Sequence, residues 1–122
     1  MKLVVVYNSL LKNLPTIRRN LEREITRRDE VSAIWHEFTP LLSAKLTRAV
    51  RSADRVVVIG GDGIVRSIAA LIVGTPVQLA IIPSGTGNLL ARNIHLPIND
   101  LSAAARIALT GEATLANRSG LR

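Results

Sequence analysis

Two apolar runs, each ending abruptly in a glycine-rich turn, constrain the fold of this chain more than any other feature. The first run, residues 56–59, leads into Gly-Gly-Asp-Gly at 60–63, and the second, residues 79–82, leads into a turn over 83–88. Short β-branched runs bounded by glycine are typical of buried strands. One helix-sized segment joins them, so we expect both turns at one edge of a parallel sheet, where open α/β sheets bind ligands.

Strand and helix patterns alternate along the remaining sequence, which predicts β-α-β units. The fold class that follows is α/β, with a Rossmann-like parallel sheet and flanking helices. The predicted strands cover residues 3–7, 31–38, 55–59 and 77–82. The predicted helices run from Leu14 to near Asp29, over 41–52, from Ile64 to a stop at Gly74, over 89–93, and from a cap at Asn99 or Asp100 to Leu109.

Length and composition predict a single folded domain. The chain has 122 residues, of which 48% are hydrophobic, and no apolar run approaches the length of a membrane span. The apolar start of the chain is cut short by polar residues at 8–9, so it does not resemble a signal peptide. The absence of cysteine excludes disulfides and agrees with a cytoplasmic location.

The net charge of +7 suggests an anionic partner or a solvated basic face. Five arginines fall within residues 18–28, where Arg18–Glu22 and Glu24–Arg28 are spaced for ion pairs on one helix. We therefore favour a solvated helix face first and peripheral contact with an anionic membrane second. Nucleic acid is not an expected partner, because no aromatic side chain lies among these arginines to stack on bases.

The first glycine turn has the chemistry of a phosphate site. Glycine lets backbone N–H groups approach phosphate oxygens closely, and the helix that follows offers its N-terminus to an anion. The turn is neither a P-loop nor a dinucleotide fingerprint. Asp62 in such a place would bind a metal, accept from a ribose hydroxyl or handle a proton, and the alternative is that it only caps the helix.

The second turn offers a similar surface. Gly85 and Gly87 permit close approach, Thr86 supplies a hydroxyl and Asn88 an amide. A capped turn entering the 89–93 helix explains the same residues and is compatible with ligand contact.

These turns resemble those of the diacylglycerol kinase catalytic domain in its bacterial lipid-kinase form. The resemblance is carried by Gly-Gly-Asp-Gly at 60–63 and by Ile-Pro-Ser-Gly-Thr-Gly-Asn-Leu-Leu-Ala-Arg at 82–92, and it extends from Asn8 to about Gly111. NAD kinases and phosphofructokinases share the first turn, but the second favours the lipid-kinase branch. The implied fold is the N-terminal domain of the NAD kinase/diacylglycerol kinase-like fold.

The resemblance implies an ATP site, with Mg²⁺ neutralising phosphate charge and a lipid hydroxyl as acceptor. The residues that it places at ATP are Asn8, Thr39, Gly60, Gly61, Asp62, Gly63, Ile64, Arg66, Ser84, Gly85, Thr86, Gly87 and Asn88.

Three departures from the family pattern concern the phosphate contacts. Ile64 stands where the family usually has threonine, and Arg66-Ser67 replaces Asn-Glu. The first loop continues as Ser-Leu-Leu after Asn8 instead of Pro with glycines, which leaves Lys12 as a partial substitute.

The resemblance also implies a C-terminal β-rich domain that supplies the general base and most magnesium ligands, and no segment after Leu109 matches it. His36 and His95 do not fill that role, so no catalytic residue or metal ligand is assigned within the chain. The expected function is the ATP-binding domain of a lipid kinase, inactive alone. A sheet face left uncovered by the absent domain would favour self-association, and the sequence gives no oligomeric state. The alternatives are a non-catalytic nucleotide-binding module and a NAD kinase-like phosphotransferase.

Overall fold

The computed structural model describes residues 1–83 and 101–111 of the chain. Four strands form one sheet in the order β2-β1-β3-β4, and every neighbouring pair is parallel. The predicted α/β class with a parallel sheet is confirmed. The elements in chain order are β1 (Lys2–Tyr7), α1 (Leu14–Thr26), β2 (Ser32–Glu37), α2 (Ala44–Ser52), β3 (Arg55–Gly60), α3 (Asp62–Ile72), β4 (Gln78–Pro83) and α4 (Leu101–Thr110).

The sheet is buried between two layers of helices. All six residues of β3 are buried, as expected for a central strand of a parallel sheet. Alternate side chains of β1 and β3 point to opposite faces, where α2 and α3 complete one core and α1 and α4 the other. Helices therefore cover both faces of the described sheet. The expectation that one face of the sheet would be left uncovered was wrong.

Helix ends differ from the predicted ones where a side chain or a turn intervenes. The structure begins α2 at Ala44, because the hydroxyl of Ser43 accepts from Leu46 N at 3.0 Å and so caps the helix. It ends α1 at Thr26, and Arg28 then donates to the carbonyl of Glu24 at 2.7 Å. Gly74 stops α3 as predicted, with a φ of +80° that favours glycine.

Three of the five arginines within residues 18–28 make contacts within the protein. Arg18 stacks on the ring of Trp35 at 4.4 Å and pairs with Glu22 at 2.7 Å, while Arg27 and Arg28 both pair with Glu24. The two predicted ion pairs are thus confirmed. These contacts favour the solvated, internally paired face over a dedicated binding surface for this helix.

A buried arginine ties α4 to the sheet. The guanidinium of Arg55, 7% exposed, donates to the carbonyl oxygens of Ala108 at 2.8 Å and Gly111 at 2.9 Å, and to Gln78 at 3.0 Å. Burial lowers the pKa of this guanidinium. The helix C-terminus carries partial negative charge, so a cation held there stabilises the helix. This anchor lies where β3 begins, at the edge opposite the glycine turn.

Two predictions about secondary structure fall outside the described residues. These are the 89–93 helix and the cap at Asn99 or Asp100. In the described residues, no helix is both long and apolar enough to cross a membrane.

Candidate functional site

The sheet order places a topological switch point between β1 and β3. The chain leaves β1 toward β2 on one side and later continues from β3 to β4 on the other. Asn8 N donates to the carbonyl of Ile59 at 3.1 Å, which extends the pairing of the two strands by one residue. Asn8 therefore lies beside Gly60, at the place where open α/β sheets form their binding crevice.

The first glycine turn runs from β3 directly into α3. Gly61 is the N-cap of the helix, and its carbonyl accepts from Val65 N at 3.1 Å. A Cβ added at Gly61 or Gly63 would meet no atom within 4 Å, so the turn faces open space on that side. The first-turn N–H groups of a helix lack partners within the helix, and this opening gives an anion room to reach them.

Asp62 is the first residue of α3, inside the helix. The interpretation of Asp62 as the helix cap was wrong, because Gly61 occupies the N-cap position. A carboxylate in the first turn still interacts favourably with the helix dipole. Its chemistry beside the open turn is compatible with the proton, ribose or metal roles considered from the sequence.

Ile64 lies over the start of the turn. Its side chain is partly buried against the core, and its Cδ1 atom would be 2.9 Å from a Cβ added at Gly60. An apolar group thus covers Gly60 where the family usually has a hydroxyl. The side chain has a packing role that its sequence position alone did not indicate.

A cleft of about 420 Å³ opens beside this turn and brings three predicted site residues together. Asn8, Thr39 and Ile64 all line it, although Asn8 follows β1, Thr39 follows β2 and Ile64 lies in the first turn of α3. The other lining residues, which the sequence analysis did not assign to the site, are Ser9, Leu10, Glu37, Phe38 and Pro40.

Internal hydrogen bonds restrict what the two polar lining residues offer a ligand. The side-chain oxygen of Asn8 accepts from Leu10 N at 3.0 Å, so its amide N–H groups are the donors that face other partners. Thr39 donates its hydroxyl hydrogen to the carbonyl of Leu41 at 2.9 Å and keeps acceptor capacity. Asn8 thus suits an anion, and Thr39 suits a hydroxyl or amine.

A side-chain bridge at the cleft was missed from the sequence. Ser9 donates its hydroxyl to Glu37 Oε1 at 2.9 Å, which joins the loop after β1 to the end of β2. The parallel register, in which Tyr7 pairs with Glu37, brings the two residues together. Parallel pairing of the two runs, had it been predicted, would have placed Ser9 near Glu37.

The remaining predicted site residues divide into two groups. Arg66 lies exposed on α3, two residues beyond Ile64. Pro83 pairs with Gly60 in the sheet, so β4 ends beside the first glycine turn. The residues of that turn lie outside the described part of the chain: Ser84, Gly85, Thr86, Gly87 and Asn88.

Neither histidine nor a carboxylate cluster provides a metal centre in the described residues. His36 is partly buried on the edge strand β2, and His95 is not among the residues described. Across 1–83 and 101–111, no group of three or more histidine, cysteine, aspartate or glutamate side chains could hold a metal ion.

Comparisons with known proteins agree with this geometry. Residues 2–117 match the model of the diacylglycerol kinase catalytic domain. Two diacylglycerol kinases of Mycobacterium tuberculosis, from strains CDC 1551 / Oshkosh and ATCC 25618 / H37Rv, are each 41% identical over 76 residues, which are 62% of this chain and 24% of theirs. The chain thus spans about a quarter of the length of these relatives.

The fold has a solved counterpart. A diacylglycerol kinase from Bacillus anthracis str. Sterne superposes with a TM-score of 0.70 at 22% identity, over 87% of this chain and 42% of the solved one. At that identity the likeness concerns the fold alone, whereas the family match covers almost the whole sequence. This chain belongs to the diacylglycerol kinase catalytic domain family.

Proposed function

We propose that this chain is the ATP-binding domain of a lipid kinase, which transfers the ATP γ-phosphate to the hydroxyl of a diacylglycerol-like lipid. The observation that carries the proposal is the open glycine turn at the switch point, where β3 enters α3 beside a cleft. Phosphoryl transfer depends on positioning and charge stabilisation, and a helix N-terminus behind glycines supplies both.

Each polar residue has a role that its hydrogen bonds support. The amide N–H groups of Asn8 and the backbone of residues 60–63 would hold phosphate oxygens. Thr39, whose hydroxyl hydrogen is already donated to Leu41, would accept from the ribose or the base. Arg66 and residues 84–88 complete the proposed ATP contacts, as the family resemblance implies.

Magnesium would be held mainly by the ATP phosphates. Asp62 is the carboxylate of the turn itself, and the described residues contain no three-ligand cluster that could bind the ion alone. One carboxylate with substrate phosphates is a usual arrangement for Mg²⁺. Bound Mg²⁺ would neutralise phosphate charge.

The catalytic base and the lipid contacts would come from a C-terminal β-rich domain of the kinase. The chain spans 24% of its curated relatives, and we assign no general base within it. We therefore expect the 122-residue chain to bind ATP without transferring phosphate. A radiolabelled ATP assay with diacylglycerol vesicles checks this, and lipid phosphorylation by this chain alone would contradict it.

A non-catalytic nucleotide-binding module is the second candidate. Ile64, which covers Gly60 in place of the usual hydroxyl, favours it. The two candidates make the same prediction for ATP binding. Joining the chain to the C-terminal part of a related kinase separates them, because only the kinase domain would restore phosphate transfer.

Thermal-shift titration with ATP and Mg²⁺ tests the nucleotide site itself, with ADP and NAD as comparison ligands. Binding to the folded state raises the melting temperature, and the shift grows with the ratio of free ligand concentration to Kd. We expect ATP and ADP to shift the transition, and Asp62→Ala to remove most of the ATP shift. Asp29→Ala is the matched control, since Asp29 is an exposed carboxylate just after α1, at the opposite edge. No shift with any nucleotide would refute the site, and an unchanged shift in Asp62→Ala would refute the role of that residue.

A further inference from the structure

Two leucines protrude almost completely into solvent at the mouth of the cleft. Leu10 is 87% exposed and Leu41 is 89% exposed, while every other exposed large hydrophobic side chain in the described residues is at most 50% exposed. They follow β1 and β2, which are adjacent and paired at Tyr7 and Glu37. We call Leu10 and Leu41 the leucine tip. Both lie on loops that line the cleft.

Polar side chains hold both leucines in place. Leu10 N donates to the side-chain oxygen of Asn8 at 3.0 Å, and the carbonyl of Leu41 accepts from Thr39 at 2.9 Å. The bridge between Ser9 and Glu37 then joins the two loops at their base. The leucine tip therefore projects from turns fixed by local hydrogen bonds.

The charge around the leucine tip suits an anionic surface. Residues 8–13 and 38–43 carry one charged side chain, that of Lys12, which is exposed, and the carboxylate of Glu37, just before the second segment, accepts from Ser9. The chain as a whole carries a net charge of +7. A cationic protein with protruding apolar side chains combines the two forces that bring peripheral proteins to anionic lipid.

We propose that the leucine tip inserts into the surface of an anionic lipid bilayer and holds the mouth of the cleft against it. A bilayer interface accepts separate apolar side chains without a complementary shape, whereas a protein partner requires a packed, contiguous interface. The biological role of this contact rests on the proposed function, because a lipid kinase would reach its lipid acceptor in the membrane. The contact itself requires no nucleotide.

Co-sedimentation with vesicles of phosphatidylcholine and phosphatidylglycerol tests the contact. We expect the chain to bind these vesicles, and each of Leu10→Ser and Leu41→Ser to weaken binding by about tenfold, because a buried leucine contributes about that factor. Val73→Ser is the matched control, since Val73 is 50% exposed and follows α3 at the opposite edge of the sheet. All three positions are exposed, so circular dichroism should show unchanged folding. Equal binding by the double leucine variant would overturn the proposal.

Tryptophan reporters locate the contact directly. Brominated acyl chains should quench the added tryptophan of Leu41→Trp but not that of Val73→Trp, after subtraction of the signal from Trp35. Trp35 is the one native tryptophan and is covered by Arg18. Equal quenching of the two reporters would overturn the proposal. The absence of any binding to vesicles would also overturn it, and would indicate that the leucine tip contacts a protein partner.

Nucleotide titration of Leu41→Ser separates this inference from the proposed function. Leu10 lines the cleft and is unsuitable for this comparison, whereas Leu41 does not line it. We expect an unchanged ATP-induced thermal shift together with weakened vesicle binding. Vesicle binding through the leucine tip without any nucleotide shift would refute the ATP site and leave the membrane contact standing. A nucleotide shift without vesicle binding would do the reverse.

Discussion

Ile64 packs over Gly60, and this packing takes the place of a hydroxyl group that could contact phosphate. The isoleucine fills space over the glycine and against the core, where a threonine would place a hydroxyl at the start of α3. Because Ile64 and Gly60 lie so close together, the effects of substitutions at the two positions on stability should not be additive. The residue is therefore both a stabilising contact and a replacement of a polar ligand group.

Replacing Ile64 by threonine should strengthen ATP binding at a cost in stability. One net hydrogen bond corresponds to about a fivefold gain in affinity. The smaller, partly buried side chain should lower the free energy of unfolding by about 1 kcal/mol. Isothermal titration and urea unfolding measure the two effects. Ile64→Val is the control, since it removes similar bulk without adding a hydroxyl; equal affinity in the two variants would mean that the hydroxyl is not needed.

Glu24 gives the stability a dependence on pH. The hydrogen bond from Arg28 is the largest influence and lowers the pKa of the Glu24 carboxyl, against the smaller raising effect of burial; the charges of Arg27, Arg28 and Arg106 lower it further. A carboxyl with a lowered folded-state pKa stabilises the fold above its unfolded pKa, and this stability is lost as pH falls through the folded value.

Glu24→Gln should therefore flatten part of the pH dependence of unfolding. The variant should be less stable than the native chain at neutral pH, with the difference shrinking as pH falls below about 4, the ordinary range for glutamate. Urea titrations at a series of pH values measure this. Arg28→Met removes the main hydrogen bond and should give a similar profile. A constant difference across the series would contradict the assignment.

At the scale of elements, local sequence patterns predicted the helices and strands, but the sequence did not predict contacts between residues that are far apart in the chain. Runs of β-branched residues located the strands, and Gly74 located a helix stop, because both are properties of a few neighbouring residues. The start of α2 was missed because the Ser43 side chain, rather than the apolar period, decides it. The cleft was missed in part because Ser9 and Glu37 meet only through strand pairing.

The anchoring of α4 by Arg55 was invisible in the sequence for the same reason. A charged residue at the first position of a strand is indistinguishable from an ordinary boundary, and its carbonyl partners lie more than fifty residues away. In the structure its side chain satisfies the end of a helix that packs against α1 and β4.

Arg55→Met should be strongly destabilising. The substitution leaves the carbonyl groups of Ala108 and Gly111 without their donor, and we expect a loss of about 2–4 kcal/mol in the free energy of unfolding. Urea unfolding measures the loss, and hydrogen exchange should quicken first in α4. Arg51→Met is the matched control, because Arg51 also donates to a carbonyl, that of Leu71, but from an exposed position. Similar losses in both variants would show that burial is not decisive.

At the scale of the whole molecule, the sheet order sets where the site lies. The sequence predicted a parallel sheet with β3 and β4 ending at one edge, but it did not predict the strand order, in which β1 lies between β2 and β3. That order brings Asn8 to Gly60 and opens the cleft toward Thr39. Self-association was expected to use an uncovered face of the sheet, but helices cover both faces of the described sheet. We therefore expect gel filtration to find a monomer.

The position of β1 also has a consequence for biosynthesis. Of the four described strands, β1 leaves the ribosome before the others, yet one of its two neighbours is β3, whose residue Val56 pairs with Val4. During translation β1 and β2 can meet early, but the central pairing must wait until β3 has emerged. The nascent chain therefore exposes one apolar strand edge over this interval, which is a time when a chaperone would be most useful.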